Sequence, residues 1–185
     1  LAMTTDANSS DATVVDCLTD GQKGTIVCDV TPFYGESGGQ IGDTGVIVAD
    51  GMEFEVTDTI KMNGKFVHKG KVVKGTITAG DKVTATVNKA HRLAIARNHT
   101  ATHLLQAALR QVLGDHVEQA GSYQDVDRTR FDFSYGQAMT AEEIAKVEDI
   151  VNEFIAGDVQ VVTNVMSIED AKKTGAMALF GEKYG

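Results

Sequence analysis

Arg97-Asn98-His99-Thr100-Ala101-Thr102-His103-Leu104-Leu105 is the stretch on which the reading of this chain turns. It lies inside Asn88 to Leu113, a run with no proline or glycine and many alanines and leucines, which predicts a helix. Residues four apart on a helix stand one above the other, with Cβ atoms about 5–6 Å apart. His99 and His103 therefore share a face and could both reach one metal ion, and neutral imidazoles at this spacing commonly supply two ligands of a tetrahedral zinc. Ala101, Leu104, Leu105, Ala108, Leu109 and Val112 keep the helix period and predict the core-facing stripe. The same histidine spacing also occurs in ordinary surface pairs, and two ligands do not close a zinc site. A metalloprotease places Glu directly after the first histidine; Thr100 stands there and argues against that chemistry.

Upstream, the chain reads as short strands at Ala12–Leu18, Thr25–Val30, Thr44–Val48, Glu53–Ile60, Lys65–Val73 and Lys82–Val87. Turn signals separate them, of which Asn63-Gly64 is the strongest. Many short strands without a helix predict a small antiparallel β-barrel over 12–88, after a loosely ordered polar segment at 1–11. Downstream, residues 89–185 alternate. Strands are expected at Val117–Val126, Arg128–Ser134 and Val159–Met166. Thr140-Ala141-Glu142-Glu143 is a capping box opening a helix with Ile144, Val147, Val151, Phe154 and Ile155 inward, ending at Gly157. Ser167-Ile168-Glu169-Asp170 caps a last short helix stopping near Gly175. The fold class expected is α+β, a barrel followed by helices packed on an antiparallel sheet.

The 185 residues carry a net charge of -9, which argues against a free-standing nucleic-acid grip. The charge is uneven, however: Lys61 to Arg97 holds nine basic residues against Asp81 alone, a window of net +8. That is what a polyanion-facing stripe looks like, and equally what a solvated lysine-rich hairpin looks like. Cys17 and Cys28 are the only cysteines. Both fall in strand-like segments and read as buried thiols of a reducing, cytoplasmic compartment. No apolar run is long enough to span a bilayer, so no membrane partner is expected.

One further segment stands out: Thr31-Pro32-Phe33-Tyr34-Gly35-Glu36-Ser37-Gly38-Gly39-Gln40-Ile41-Gly42-Asp43-Thr44-Gly45, with the chain's only proline. Its glycines suit either close backbone approach to a phosphate or nucleotide end, or a tight bend at a barrel corner. It is no P-loop, because no Gly-Lys-Ser/Thr follows. Glu36, Asp43 and Asp132 read as structural carboxylates.

In this order, Thr31 to Gln40 and Arg97 to Leu105 resemble the editing domain of alanyl-tRNA synthetases and the free-standing AlaX-type editing proteins. The similarity continues through Leu113 to Ser122 and Arg130 to Ser134 and covers nearly the whole chain from about Val14. The resemblance implies hydrolysis of the ester of mischarged seryl- or glycyl-tRNA(Ala) at a zinc site. His99 and His103 match the first two zinc ligands, and Thr102 and Gln119 match positions lining the editing pocket. In this family the Gly35–Gln40 loop belongs to the barrel face near the bound terminal adenosine, and Gly38, Gly39, Gln40 and Arg97 are the expected substrate- and tRNA-binding residues.

The partners implied are the 3′ acceptor end of alanine tRNA and the rest of a synthetase chain that also binds ATP. The family completes its zinc site with a Cys-x-x-x-His pair. This sequence ends at Phe180-Gly181-Glu182-Lys183-Tyr184-Gly185 without one. The expectation is therefore a C-terminally incomplete domain with zinc absent or partly occupied and weak or no hydrolysis. Competing readings are a free-standing editing protein, a tRNA-acceptor module without chemistry of its own, and an unrelated metal-binding structural domain.

Overall fold

The structure, a computed structural model, describes residues 2–5 and 13–175. Two compact units divide the chain: Leu1–Thr100 with Ser122–Arg130, and Ala101–Gly121 with Phe131–Gly185. The division falls inside the histidine helix, α1 (Lys89–Leu113), beyond the boundary expected at 88.

Strands β1 (Ala2–Thr5), β2 (Val14–Val15), β4 (Lys23–Val27), β5 (Gly45–Ala49), β6 (Met52–Met62), β7 (Lys65–Lys74) and β9 (Thr84–Val87) form one sheet in the first unit. Their order is β2-β1-β4-β7-β6-β5-β9, and every neighbour is antiparallel. A separate pair joins β3 (Cys17–Thr19) to β8 (Thr76–Thr78). The antiparallel class is as expected, but among the described residues the ladder ends at β2 and β9 and no pairing closes it into a barrel. Ala2–Thr5, inside the stretch expected to be loose, is strand β1; residues 6–11 of that stretch lie outside the described residues.

Local chemistry sets the register. Met62 pairs with Lys65, so Asn63 (φ 51°) and Gly64 (φ 73°) form the two-residue left-handed turn that such hairpins demand. Asp50-Gly51 closes the β5–β6 hairpin, with Ala49 opposite Met52 and Gly51 (φ 69°) alone in the left-handed region. Along β6, Met52, Phe54 and Val56 point inward and Glu53, Glu55 and Thr57 outward. A register shift between Val56 and Asp58 then re-aims the strand so that Thr59 is fully buried. Inward residues gather with Met3, Leu18, Ile26, Phe33, Ile47, Val72 and Ile77 as the core. The thiols differ from expectation: Cys17 is exposed, while Cys28 is half-buried against this core, and burial pushes its pKa up.

Asn88 caps α1, its side-chain oxygen accepting from His91 N at 3.1 Å, and Gly114 (φ 112°) follows its end. In the second unit Ala108, Leu109, Val117 and Val147 form a small core, flanked by Leu105, Phe131, Phe133 and Val151. Strands β10 (Gln119–Gln124) and β11 (Thr129–Phe133) pair as a two-stranded sheet. Helix α2 (Ala141–Ala156) opens on the expected box: Thr140 Oγ1 accepts from Glu143 N at 3.2 Å, and Thr140 N donates to Glu143 Oε2 at 2.7 Å. Only Val147 of its expected inward set is fully buried; Ile144, Phe154 and Ile155 are exposed. Asp158 (φ 47°), not Gly157, takes the left-handed position after the helix. Helix α3 (Ile168–Lys173) starts at Ser167 as anticipated.

Val159–Met166 is not a strand. Its alternation is right for one, but no ladder pairs it among the described residues, and Val161, Val162 and Val165 stay exposed. An apolar β-pattern makes a strand only where it pairs with another, and its sequence does not say whether it will.

His68, on β7, is fully buried. Its Nδ1 donates to Ile26 O at 2.8 Å, so Nε2 accepts from the Thr31 hydroxyl at 2.7 Å. The neutral ring is satisfied at both nitrogens, and burial holds its pKa below the ordinary 6.5. The unfolded chain thus takes up a proton that the folded state resists, and stability falls as pH drops below 6.5 toward the folded value. Thermal midpoints measured from about pH 7.5 to pH 5 should decline in the natural protein and decline less in His68→Gln. An identical slope in the variant would remove His68 from the account.

Candidate functional site on helix α1

The glycine segment is held by one carboxylate. Asp43 is fully buried, and Arg92 of α1 grips it with both prongs, Nε to Oδ1 at 3.0 Å and Nη2 to Oδ2. Tyr34 N also donates to Oδ2, at 2.7 Å, and Arg92 Nη2 donates to Pro32 O at 2.7 Å. The bond to Asp43 holds the Arg92 pKa above its ordinary value. The Asp43 carbonyl accepts from Thr59 Oγ1 at 2.9 Å, and Glu36 N donates to Thr59 O at 2.8 Å. The β6 bulge and the first turns of α1 therefore both anchor this segment.

Within it, Ser37 to Gln40 is a tight turn. Ser37 N and Gln40 N each donate to the other residue's carbonyl, at 3.2 and 3.0 Å, across Gly38 (φ 59°) and Gly39 (φ 83°). A Cβ on Gly39 would lie 2.5 Å from Ser122 Oγ, so this position admits no side chain. Gln124 N donates to Gly39 O at 2.8 Å and Ile41 N to Gln124 O at 3.2 Å, which fastens the turn to β10.

The turn delivers Gln40, whose buried amide meets His99 Nδ1 at 2.8 Å. An amide oxygen only accepts, so Nδ1 carries the proton and Nε2 is left with its lone pair. This is the arrangement in which an outer partner sets a ligand's tautomer. Gln40, expected on the substrate face, thus has its side chain committed to His99. Gly38 and Arg97 are exposed, and a Cβ on Gly38 would meet nothing nearer than His99 Cε1 at 3.9 Å.

His103 follows His99 by four residues on the same helix and is exposed. Thr102 is buried at 5% exposure, and Gln119 is half-buried at the start of β10. Among the described residues no group of three or more His, Cys, Asp or Glu converges as a metal site. The donor set present is two imidazoles, one with its tautomer fixed. That fits part of a zinc coordination sphere and leaves two positions to other donors.

The basic window is less bare than its count. In register across the β6–β7 ladder, Glu53 faces Lys74, Glu55 faces Lys71 and Asp58 faces Lys69. Acids just upstream of the window therefore offset three of its lysines. Lys61 lies 6.0 Å from the Tyr34 ring and 5.5 Å from the Phe66 ring, and Arg92 serves Asp43. Neither the Arg92–Asp43 pair nor the Gln40–His99 bond has a local signal, since their partners stand 49 and 59 residues apart.

The family model for class II (A) tRNA synthetases matches residues 3–91, ending before the histidine pair. Relatives extend further. Alanine–tRNA ligase 1 of Lachnoclostridium phytofermentans is 57% identical over 178 residues, 96% of this chain and 20% of that protein. The alanine–tRNA ligases of Rhodopseudomonas palustris and Acetivibrio thermocellus are 53% and 55% identical over 95% and 93% of the chain, again 20% of each protein. The chain spans about a fifth of the length of these relatives.

Arg92→Met leaves a buried carboxylate without its cation. It should destabilise the first unit by roughly 3 kcal/mol in denaturant melts, because removing one partner of a buried pair costs more than the pair contributes. A loss below about 0.5 kcal/mol, usual for surface changes, would show that Asp43 is not held by this pair.

Proposed function

We propose that this chain, which belongs with a segment of the alanine–tRNA ligases, supplies part of the site at which the full-length protein hydrolyses the ester linking serine or glycine to the 3′ end of alanine tRNA. The observation that carries the reading is the Gln40–His99 bond, which sets the tautomer of a histidine whose helical partner is His103. Identity at half or more of positions across nearly the whole chain supports it.

The reaction class answers a physical need. A pocket sized for alanine rejects glycine by about one methyl group, on the order of 1–3 kcal/mol, and rejects an added hydroxyl poorly. A second, hydrolytic site can multiply that discrimination. Water adds its oxygen to the ester carbonyl carbon, the bond to the ribose oxygen breaks, and the ribose oxygen takes the proton. His99 and His103 would hold zinc, which supplies Lewis-acid polarisation when bound. Gln40 keeps His99 Nε2 deprotonated and aimed. Thr102 pairs with the hydroxyl of serine, which separates serine from alanine by the cost of an unmatched polar group, about 1–3 kcal/mol, and does not act on glycine. Gln119 orients the attacking water through its amide. The exposed Arg97 and the open backbone at Gly38 offer the acceptor end a cation and a close approach.

Hydrolysis of seryl-tRNA(Ala) by the full-length protein carrying this chain is the direct test. His99→Ala and His103→Ala should each lower the rate by about a hundredfold or more. A natural protein no faster than spontaneous ester hydrolysis would refute the proposal. Thr102→Val should lower the ratio of seryl to alanyl hydrolysis, and an unchanged ratio withdraws its role.

The support given to His99 has its own signature. Gln40→Ala should weaken zinc binding, measured by chelator competition, by about 10- to 100-fold. Equal affinity in the variant would show that the bond does not tune the ligand.

A further inference from the structure

Gln106 is 6% exposed, yet neither its amide nitrogen nor its amide oxygen has a hydrogen-bond partner in the structure. Burying an amide in that state is costly, and such groups are rare enough in folded proteins that each asks for a reason. Its place on α1 supplies one. Gln106 follows His103 by three residues and Thr102 by four, and at those spacings side chains on a helix are neighbours on one face. The apolar stripe of this helix, through Leu105, Ala108 and Leu109, packs into the core of the second unit, and Leu109, three residues beyond Gln106, places the amide at the margin of that stripe. An apolar residue at position 106 would be the better choice for stability alone.

An amide offers one acceptor and two donors to separate partners. On an aminoacyl ester the group that satisfies the acceptor most strongly is the α-ammonium, since bonds to charged groups are the stronger kind. The amide NH2 can then meet an ester or hydroxyl oxygen. We propose that Gln106 binds the α-ammonium of the aminoacyl group, an inference that rests on the deacylase reading above. Thr102 would sense what differs between serine and alanine, whereas Gln106 holds what all amino acids share.

The test compares natural full-length protein with Gln106→Met, which keeps the side-chain length and removes the amide, and with Gln106→Glu, which keeps the acceptor. Substrates are seryl-, glycyl- and N-acetyl-seryl-tRNA(Ala). Gln106→Met should hydrolyse the seryl and glycyl substrates about 10- to 100-fold more slowly, in equal measure, with a thermal midpoint no lower than the natural protein's. It should treat seryl and N-acetyl-seryl substrates alike, while the natural protein prefers the free amine. Gln106→Glu should restore that preference.

Undiminished hydrolysis by Gln106→Met overturns the inference and makes the amide a structural feature. Slower hydrolysis that keeps the natural preference for the free amine also overturns it. If Gln106→Met melts early, the preference shown by Gln106→Glu decides, and its loss there counts against the proposal. A natural protein that hydrolyses none of these substrates removes the deacylase reading and this inference together, which separates the two failures.

Discussion

A single carboxylate with no access to solvent governs the first unit. Asp43 sits at 0% exposure, and a charge in that position is tolerated only if its lone pairs are filled. They are filled by the two prongs of Arg92 and by the Tyr34 amide. The consequence is geometric more than energetic. A bidentate guanidinium fixes direction as well as distance, so the glycine segment and the start of α1 are set against each other. Seven residues along the helix from Arg92, or about two turns, comes His99, on the same stripe, where the turn carried by that segment delivers Gln40. The bond that fixes the tautomer of His99 is thus downstream of an ion pair that never touches it.

Elements defined by short-range chemistry were readable in the sequence. Asn63-Gly64 made its hairpin because two consecutive left-handed residues leave few alternatives, and Thr140 with Glu143 made its box because both partners lie within one turn. What failed depended on distant partners. Val159–Met166 has the alternation of a strand but pairs with no strand among the described residues, and alternation cannot report that. The open ends of the seven-stranded sheet have the same cause. Strand count and turn signals say how many strands exist, while closure depends on whether the terminal strands meet. Outward residues of α2 such as Ile155 were assigned inward because helical period identifies a face without saying how wide a surface lies opposite it.

The site divides along the same line. His99 and His103 could be paired from spacing alone, because the helix that relates them is local. The supporting partner of His99 could not, being 59 residues away on a turn whose glycines suggested ligand approach. Charge counting misled in a related way. The window from Lys61 to Arg97 is basic along the chain, yet the chain is not the neighbourhood. On a sheet the neighbour of Lys71 is Glu55, contributed by another strand. Net charge over a window is informative for a helix or a tail, where sequence neighbours are spatial neighbours. It is weak for a hairpin, where half of each residue's surroundings come from the partner strand.

The glycines themselves settle which part of their segment can face a ligand. Gly39 and Gly42 stand so close to other backbone that a Cβ would fall 2.6 Å from Ser122 O and 2.0 Å from Thr59 O. Gly45 is equally tight, at 2.2 Å from Thr86 O. These positions are explained by packing, and nothing further needs to be asked of them. Gly38 differs: its φ of 59° favours glycine, but the space beside it is open as far as the His99 ring. A glycine demanded by its neighbours has no room for anything else, whereas one that leaves room beside an imidazole gives a ligand somewhere to lie. Of the glycines from 38 to 45, therefore, only Gly38 combines an exposed backbone with contact to the proposed chemistry, and the others exist to hold it there.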